Sequence, residues 1–204
     1  MKRRDNTNTS IFATLLISSL VALACEDLFA AQTQVEHYGV SFDSVCNIDD
    51  HRLTFSGAGP LTYKGVFRVY IAALYVDRNA DDFESTAKRI EVEYRVGAKA
   101  RRFNEAGRRI LEDTLSSDEM GAIRDRFNRF SALYPDSRKG DRCSVTFVPG
   151  RGTLLHYNGE LLGEEAGDDF ARHYFSIWLG ESPADTELRD ALRKGSDAIW
   201  QKTQ

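Results

Sequence analysis

The chain has 204 residues, of which 42% are hydrophobic and 28% charged, and its formal net charge is −4. This is the composition of a globular protein rather than a disordered one, and the length allows about one domain once a leader is removed. Charges of both signs are interspersed and no basic stripe alternates with aromatic residues, so the sequence gives no electrostatic case for nucleic-acid binding.

Residues 1–31 have the order of features of a secretory signal peptide followed by a short tail. A basic start precedes an uncharged apolar run over 11–24, which is too short to span a membrane. Ala22 and Ala24 fit a signal-peptidase site, and a second site follows at 30–31. The pattern predicts export, to the periplasm or as a secreted protein. A buried N-terminal helix and a retained anchor are the alternatives.

Cys25 occupies the position of a lipoprotein cysteine, so a lipid anchor could tether the chain to a membrane. Ala22 stands where leucine is usual in lipoprotein signals, and the second cleavage site competes with lipidation. The soluble exported form is therefore the favoured prediction. A membrane tether is predicted only if Cys25 is lipidated.

Residues 32–204 are predicted to form a single domain in which strands come first. Short strands at 40–42 and 53–55 are predicted to pair as a hairpin around a polar turn. Residues 57–60 (Gly-Ala-Gly-Pro) are predicted to form a break between strands. Residues 65–76 are a long run of β-branched and aromatic residues with one charge. This run favours a central strand covered on both faces over a buried helix.

The middle of the chain changes from a strand pattern to a helical one. Residues 81–87 are predicted to start a short helix or turn, and 90–96 alternate as a strand. Apolar residues recur at helical spacing over 100–133. Ser116 provides an N-cap that divides this stretch into two helices.

The last third is predicted to contain a hairpin followed by two helices. Residues 142–148 and 153–157 form its strands, and 158–159 (Asn-Gly) is the strongest two-residue turn signal in the chain. Helices are predicted at 168–179 and 183–200. Elements in this order indicate an α+β domain of packed layers.

A series of motifs runs in fixed order through the predicted domain. It consists of FSGAGPLTYKGVFRVYIAALYVD at 55–77, KGD at 139–141, VPGRGT at 148–153, NG at 158–159 and FARHYFSIWLG at 170–180. The series resembles the chalcone isomerase-like superfamily, and within it the exported bacterial branch, over residues 38–195. The resemblance implies an open-faced antiparallel β-sheet packed against a layer of helices, with a cleft between them.

Members of this superfamily differ in what they do. The enzymatic members cyclise chalcones to flavanones by adding a phenolate oxygen to an enone of the same molecule. Other members are not known for this activity, and one plant branch binds fatty acids, holding the carboxylate with Arg and Tyr. The resemblance therefore implies either an intramolecular lyase or a binding protein for an apolar or amphipathic molecule.

The residues used by the enzymatic branch do not all carry over. Its arginine after the Gly-Ala-Gly turn falls at Leu61 or Thr62, neither of them cationic, and its strand threonine falls at Tyr70. The slots for a tyrosine, an asparagine and a late serine or threonine fall near Phe103, Ile110 and Ala171. Without the guanidinium a developing enolate loses a charge-assisted hydrogen bond. We therefore expect no chalcone isomerase activity and assign no catalytic residue.

The cleft residues nominated for ligand binding are Thr62, Arg68, Tyr70, Phe103 and Ala171. Tyr70 either donates its hydroxyl to a ligand or packs against a helix as a sheet aromatic. Arg68, two positions earlier and thus on the same strand face, either binds a carboxylate or extends to solvent at the sheet edge. If the domain is catalytic, Tyr70 and Arg68 are the orienting donors.

The two cysteines of the predicted domain support no further chemistry. Cys46 and Cys143 lack His or Cys neighbours at ligand spacing, so no metal is predicted, and no cofactor is predicted either. An oxidising compartment would permit a disulfide between them. Their separation in sequence gives no geometric reason to expect one.

Three functions remain open at this point. The favoured hypothesis is a non-catalytic exported protein that binds a small apolar or amphipathic molecule, such as a fatty acid, in the cleft between sheet and helices. The second is an intramolecular lyase or isomerase with an unknown substrate. The third is an interaction module of the cell envelope with a filled cleft and no ligand.

Overall fold

The described part of the chain folds into a seven-stranded antiparallel sheet, a separate two-stranded hairpin and four helices. The computed structural model describes residues 33–79 and 82–200, with side chains as far as 196. In chain order the elements are β1 (Gln34–His37), β2 (Val40–Asp43), β3 (Val45–Ile48), β4 (His51–Tyr63), β5 (Phe67–Asp77), β6 (Lys88–Tyr94), α1 (Ala100–Thr114), α2 (Ser117–Ser131), β7 (Arg142–Val148), β8 (Gly152–Tyr157), β9 (Glu160–Glu165), α3 (Asp168–Leu179) and α4 (Thr186–Trp200).

Seven strands form one continuous sheet in the order β3-β4-β5-β6-β7-β8-β9, and each strand is antiparallel to its neighbours. Strands that follow each other in sequence are therefore also neighbours in the sheet, with α1 and α2 inserted between β6 and β7. β1 and β2 form a separate two-stranded hairpin. The α+β class and the open-faced antiparallel sheet with a layer of helices are confirmed.

The central strand β5 is covered on both faces, as its unbroken apolar run predicts. Tyr70 and Leu74 belong to the larger hydrophobic core, which is shared with the helices. Ile71 and Ala73 alternate with them and pack with residues of β2 in a smaller core. The strand begins at Phe67 rather than at residue 65. The β1–β2 hairpin and the helices therefore lie on opposite faces of the sheet.

The segment 57–60 is not the predicted break. It continues β4, and the strand passes closely beneath α4 at this point, because a Cβ added to Gly57 would lie 2.1 Å from the backbone oxygen of Ala191. Glycine at position 57 therefore allows α4 to pack closely against β4, and it does not form a turn. Pro60 is tolerated because β3 pairs with β4 only as far as Thr54.

The prediction that residues 40–42 and 53–55 pair as a hairpin is wrong. Residues 53–55 lie in β4 beside β3, whereas 40–42 lie in β2 and pair with β1 across a tight turn at Tyr38 and Gly39. Both turn residues have positive φ angles, 55° and 74°. Tyrosine rarely adopts that conformation, so the sequence carries no recognisable turn signal there.

The later elements mostly follow the sequence pattern. Ser116 caps α2 as predicted, in a capping box with Glu119. The stretch 81–87 is a turn where it is described, from residue 82 on, and β6 begins two residues earlier than predicted. The Asn-Gly turn is present, but the strand β9 that follows it is absent from the prediction because its residues are mostly polar or small.

Candidate functional site

A cavity of about 100 Å³ lies between the sheet and helices α1, α2 and α3. Its wall is mostly aliphatic and aromatic. The described lining residues are Leu61, Tyr70, Ile90, Val92, Tyr94, Phe103, Asn104, Ala106, Gly107, Ile110, Phe127, Ser131, Tyr134, Cys143, Val145, Tyr174, Ile177, Trp178 and Ala184. This set contains no Lys, Arg, His, Asp or Glu, so the lining offers a ligand no charged partner.

Four of the described residues that line this cavity are tyrosines, each with a hydroxyl group. Tyr134 and Tyr174 hydrogen-bond to each other at 2.8 Å, and the indole N–H of Trp178 donates to the Tyr70 oxygen at 3.0 Å. The Tyr94 hydroxyl has no hydrogen-bond partner among the described residues. The hydroxyl protons of Tyr70 and Tyr94, and one of the Tyr134–Tyr174 pair, therefore remain for a further acceptor. The cavity can donate hydrogen bonds to an oxygen atom of a ligand.

Burial keeps the tyrosine hydroxyls of the cavity uncharged. Loss of hydration raises the pKa of Tyr70, Tyr94, Tyr134 and Tyr174 above the ordinary phenol value. The same cause raises the pKa of Cys143 to about 12, so this residue is a thiol rather than a nucleophilic thiolate near neutral pH. The described lining therefore contains hydrogen-bond donors but no base and no activated nucleophile.

The structure brings together two of the five residues nominated for ligand binding. Tyr70 and Phe103 line the cavity, and their rings pack against each other with centroids 6.5 Å apart. Thr62 pairs with Arg68 near the end of the β4–β5 ladder, outside the lining. Ala171 is buried in the core on α3 and also lies outside the lining.

Neither of the two positions expected for the family arginine brings a cation to the cavity. Leu61, one of its two candidates, lies on the cavity wall beside Tyr70, its partner in the β4–β5 ladder. Ile110, near the expected asparagine, lies on the wall contributed by α1. Neither side chain can stabilise a developing negative charge.

Arg68 does not share a face with Tyr70, contrary to the expectation from strand alternation. The β4–β5 register shifts at this point, because Val69 is an extra residue between the two paired positions. A β-bulge of this kind re-aims the side chains next to it. The Arg68 guanidinium lies 5.6 Å from the ring centroid of Tyr38, in the β1–β2 turn on the face away from the helices.

Sequence reasoning did not nominate five of the seven described aromatic residues that line the cavity, namely Tyr94, Phe127, Tyr134, Tyr174 and Trp178. Tyr94 is the cross-strand partner of Tyr70, which depends on a β5–β6 register that no sequence motif specifies. Tyr134 precedes a proline at the end of a helical stretch, and Tyr174 and Trp178 have the spacing of ordinary core residues on a helix. The available signal was the repeated occurrence of tyrosine in or next to the predicted strands and helices.

Cys46 and Cys143 are both free thiols. Cys46 packs on the side of the β1–β2 hairpin and Cys143 on the side of the helices. Their strands, β3 and β7, are four positions apart in the sheet, which corresponds to roughly 19 Å at about 4.8 Å per strand. A disulfide needs Cα atoms within about 7 Å of each other, so the disulfide that the sequence permits does not form in this fold.

The described residues include neither a membrane-spanning helix nor a group of metal ligands. None of their helices has the length and apolar character needed to cross a bilayer. No three of their His, Cys, Asp or Glu side chains are grouped as metal ligands. The predicted leader, including Cys25, lies outside the described residues, so export and lipidation stay predictions.

Comparison with known proteins agrees with this architecture. The model of a family described as chalcone isomerase-like matches residues 34–192. The crystal structure of a fatty-acid binding protein from Arabidopsis thaliana matches with a TM-score of 0.63 and 17% sequence identity, covering 82% of this chain and 99% of the plant chain. At that identity the likeness shows the fold alone. No curated protein sequence matches the chain significantly.

Proposed function

The chain belongs to the chalcone isomerase-like family, and we propose that it is an exported, non-catalytic protein that binds a small apolar or amphipathic molecule, such as a fatty acid. The observation that carries this proposal is the cavity between sheet and helices, with its apolar wall and its unused phenol donors. The fatty-acid binding protein of the same fold supports the ligand class.

The size of the cavity suggests how an acyl ligand would lie. Pockets that enclose drug-sized molecules measure roughly 300–1,000 Å³, whereas this cavity holds about 100 Å³. One end of the ligand would occupy it, and the rest would leave past Leu61, Phe103 and Ala184, lining residues that are partly or fully exposed. The end that carries oxygen would enter in uncharged form, as a protonated carboxyl or a carbonyl group that accepts from the phenols, because burying a carboxylate without a cation is costly.

The same lining argues against chalcone cyclisation. That reaction develops negative charge on an enolate oxygen, and a cationic donor is the group that stabilises such charge most strongly. Of the two expected positions of the arginine, Leu61 lines the cavity without a charge and Thr62 lies outside the lining, and Arg68 lies toward the other face of the sheet. An intramolecular lyase acting through Tyr70 and Arg68 would need both groups on one side of the sheet.

The cavity beside Tyr70 also argues against a ligand-free interaction module. A filled cleft would leave no open volume beside Tyr70, whereas a cavity of about 100 Å³ is present there. Here Tyr94 retains an unused hydroxyl at the cavity wall. This arrangement favours a site that accepts a ligand oxygen.

Displacement of a fluorescent fatty acid from the processed chain tests the proposal. We expect binding at micromolar concentration, weakened by at least about tenfold in Cys143→Leu, which puts a larger side chain into the cavity. Tyr75→Phe is the matched control, since Tyr75 is buried in the smaller core on the opposite face. No binding at micromolar concentration, or equal binding by the filled variant, would refute it.

The exported state needs its own experiment. Fractionation of cells that express the full chain, followed by mass measurement of the processed protein, would locate the cleavage site. We expect a mature form that starts after Ala24 or after Ala31, in the exported fraction. An uncleaved chain in the cytoplasm would contradict the proposal of export without affecting the cavity.

A further inference from the structure

The β4–β5 hairpin extends beyond its neighbour β6. β6 ends at Tyr94, the partner of Tyr70, and the next N–H, of Arg95, donates to the Val69 carbonyl. Past this point β4 and β5 continue as a two-stranded ribbon to a turn at 64–66. Three to four residues beyond Val69, at about 3.3 Å per residue, make the ribbon project by roughly 10–13 Å.

The tip of this ribbon exposes a group of large apolar side chains. Val66 is 75% exposed, Phe67 65% and Tyr63 60%, the highest values among the large hydrophobic residues that the structure describes. Tyr38 and Val96, in segments next to the ribbon, are exposed as well. Single exposed apolar residues are ordinary, whereas their concentration at one place marks an interaction surface.

Basic residues are concentrated at the end of the sheet from which the tip projects. The segments 63–68, 96–102 and 136–141 lie at the same end of the sheet, because Ala98 pairs with Ser137 and the Gly140 N–H donates to the Tyr94 carbonyl. Their basic residues are Lys64, Arg68, Lys99, Arg101, Arg102, Arg138 and Lys139, and their acidic residues are Asp136 and Asp141.

The two carboxylates of these segments are already engaged. Asp136 pairs with Lys99, and Asp141 accepts hydrogen bonds from Tyr157 and Asn158. Seven cations against two carboxylates leave a formal excess of five positive charges at one end of a chain whose net charge is −4. This local charge is opposite in sign to that of the whole molecule.

We propose that the ribbon tip and the three basic segments form a docking surface for an anionic lipid bilayer. Aromatic and aliphatic side chains at a projecting tip can enter the headgroup region, where aromatic residues are enriched in membrane proteins. The flanking Lys and Arg side chains then lie over anionic headgroups, which attract basic segments near the surface. A second copy that docks through the same surface is a poorer partner, since both surfaces carry the same positive charge.

The position of the cavity gives docking a consequence. Leu61 and Tyr70, which line the cavity, lie at the base of the same ribbon. Docking would therefore bring the cavity close to the bilayer, a source of acyl ligands. This consequence rests on the proposed function, whereas the docking surface itself stands on the exposed tip and the charges around it.

Vesicle co-sedimentation tests the docking surface. The chain purified after removal of the leader, in a Cys25→Ser background that removes the predicted lipidation site, is mixed with vesicles of phosphatidylcholine alone or with added phosphatidylglycerol. We expect at least about tenfold stronger partitioning into the anionic vesicles, decreasing as salt screens the attraction. Equal partitioning into both kinds of vesicle would overturn the proposal.

Paired variants locate the surface. Val66→Asp with Phe67→Asp, and separately Lys64→Glu with Arg68→Glu, should each lower anionic partitioning by about tenfold or more. The controls change matching residues elsewhere: Leu161→Asp in β9, and Arg108→Glu with Arg124→Glu on the helices. We expect the controls to stay within about twofold of the parent chain.

Circular dichroism and the fatty-acid displacement assay separate the possible outcomes. Because the altered side chains are exposed, every variant should keep the melting temperature of the parent. Lost vesicle binding with intact fatty-acid binding supports the docking surface. Tip variants that bind vesicles as well as the parent, or that only dissociate a dimer, overturn it. A parent chain that binds anionic vesicles but no fatty acid would refute only the proposed function.

Discussion

The indole N–H of Trp178 donates a hydrogen bond to the hydroxyl oxygen of Tyr70 at 3.0 Å, which joins α3 to the centre of the sheet across the cavity wall. Tyr70 is buried and its hydroxyl proton has no acceptor among the described residues. One residue thus holds a helix in place and presents a donor to the cavity.

Replacing Tyr70 by phenylalanine leaves the Trp178 N–H without its acceptor. We expect Tyr70→Phe to lower the free energy of unfolding by about 1–3 kcal/mol, because an unpaired buried donor keeps its desolvation cost. Tyr75→Phe is the control, since no hydrogen bond to its hydroxyl occurs among the described residues. Urea denaturation of both variants checks this, and equal losses would contradict the role assigned to the Tyr70–Trp178 bond.

Gly57 is predicted to tolerate no side chain. Gly57→Ala would place a Cβ 2.1 Å from the backbone oxygen of Ala191, so β4 and α4 would have to separate. We expect a loss of about 2–4 kcal/mol in unfolding free energy. Gly121→Ala, at an exposed helical position with open space around it, should instead gain about 0.5–1 kcal/mol. Thermal denaturation of the two variants measures the loss and the gain in stability. If Gly57→Ala leaves the stability unchanged, α4 does not pack against β4 as described.

Lys88 should make stability depend on pH in the alkaline range. Its ammonium is buried, donates to the carbonyls of Phe83 and Glu84, and has its pKa lowered by burial from 10.5 to about 8. Between these values the unfolded chain holds the proton and the folded chain has lost it, so the stability contributed by this residue rises with pH.

The comparison of the parent chain with Lys88→Met isolates this effect from other titrating groups. We expect the difference in unfolding free energy, parent minus variant, to increase by roughly 1–3 kcal/mol as the pH rises from about 8 to about 10.5. Denaturant titrations at several pH values measure it. A difference that stays flat or decreases over that range would contradict the assigned direction of the pKa shift.

The free thiols predict insensitivity to reductant. In a Cys25→Ser background, Cys46 and Cys143 should both react with a thiol reagent after denaturation, and a reductant should leave the melting temperature unchanged. In the folded chain their alkylation should be slow, because burial raises the pKa of Cys46 to about 11 and that of Cys143 to about 12. A melting temperature that falls on reduction would indicate a disulfide and a different sheet order.

The sequence was sufficient for those parts of the fold in which local pattern and packing agree. The apolar run of β5 and the capping box at Ser116 each specify their element, because residues close in sequence are sufficient to determine the local structure there. Gly57 illustrates the opposite case: its role comes from a helix more than a hundred residues later, and in isolation a Gly-Ala-Gly-Pro string indicates a turn. Local signals cannot report such a contact.

For a similar reason, only part of the candidate site could be predicted from the sequence. Tyr70 and Phe103 were nominated by resemblance and line the cavity. Arg68 was placed beside Tyr70 by strand alternation, and the extra residue Val69 overrides that rule. Tyr94 joins the site through strand register, and Tyr134 through helix packing, neither of which a single sequence specifies.

Native mass spectrometry of the chain purified without denaturation tests the central claim, that the cavity between sheet and helices holds a ligand. We predict an added mass of a small amphipathic molecule on the parent chain, lost on unfolding and absent from Cys143→Leu. A parent chain that carries no added mass, even after incubation with a fatty acid, would contradict the claim. An added mass that persists in Cys143→Leu would place the ligand elsewhere.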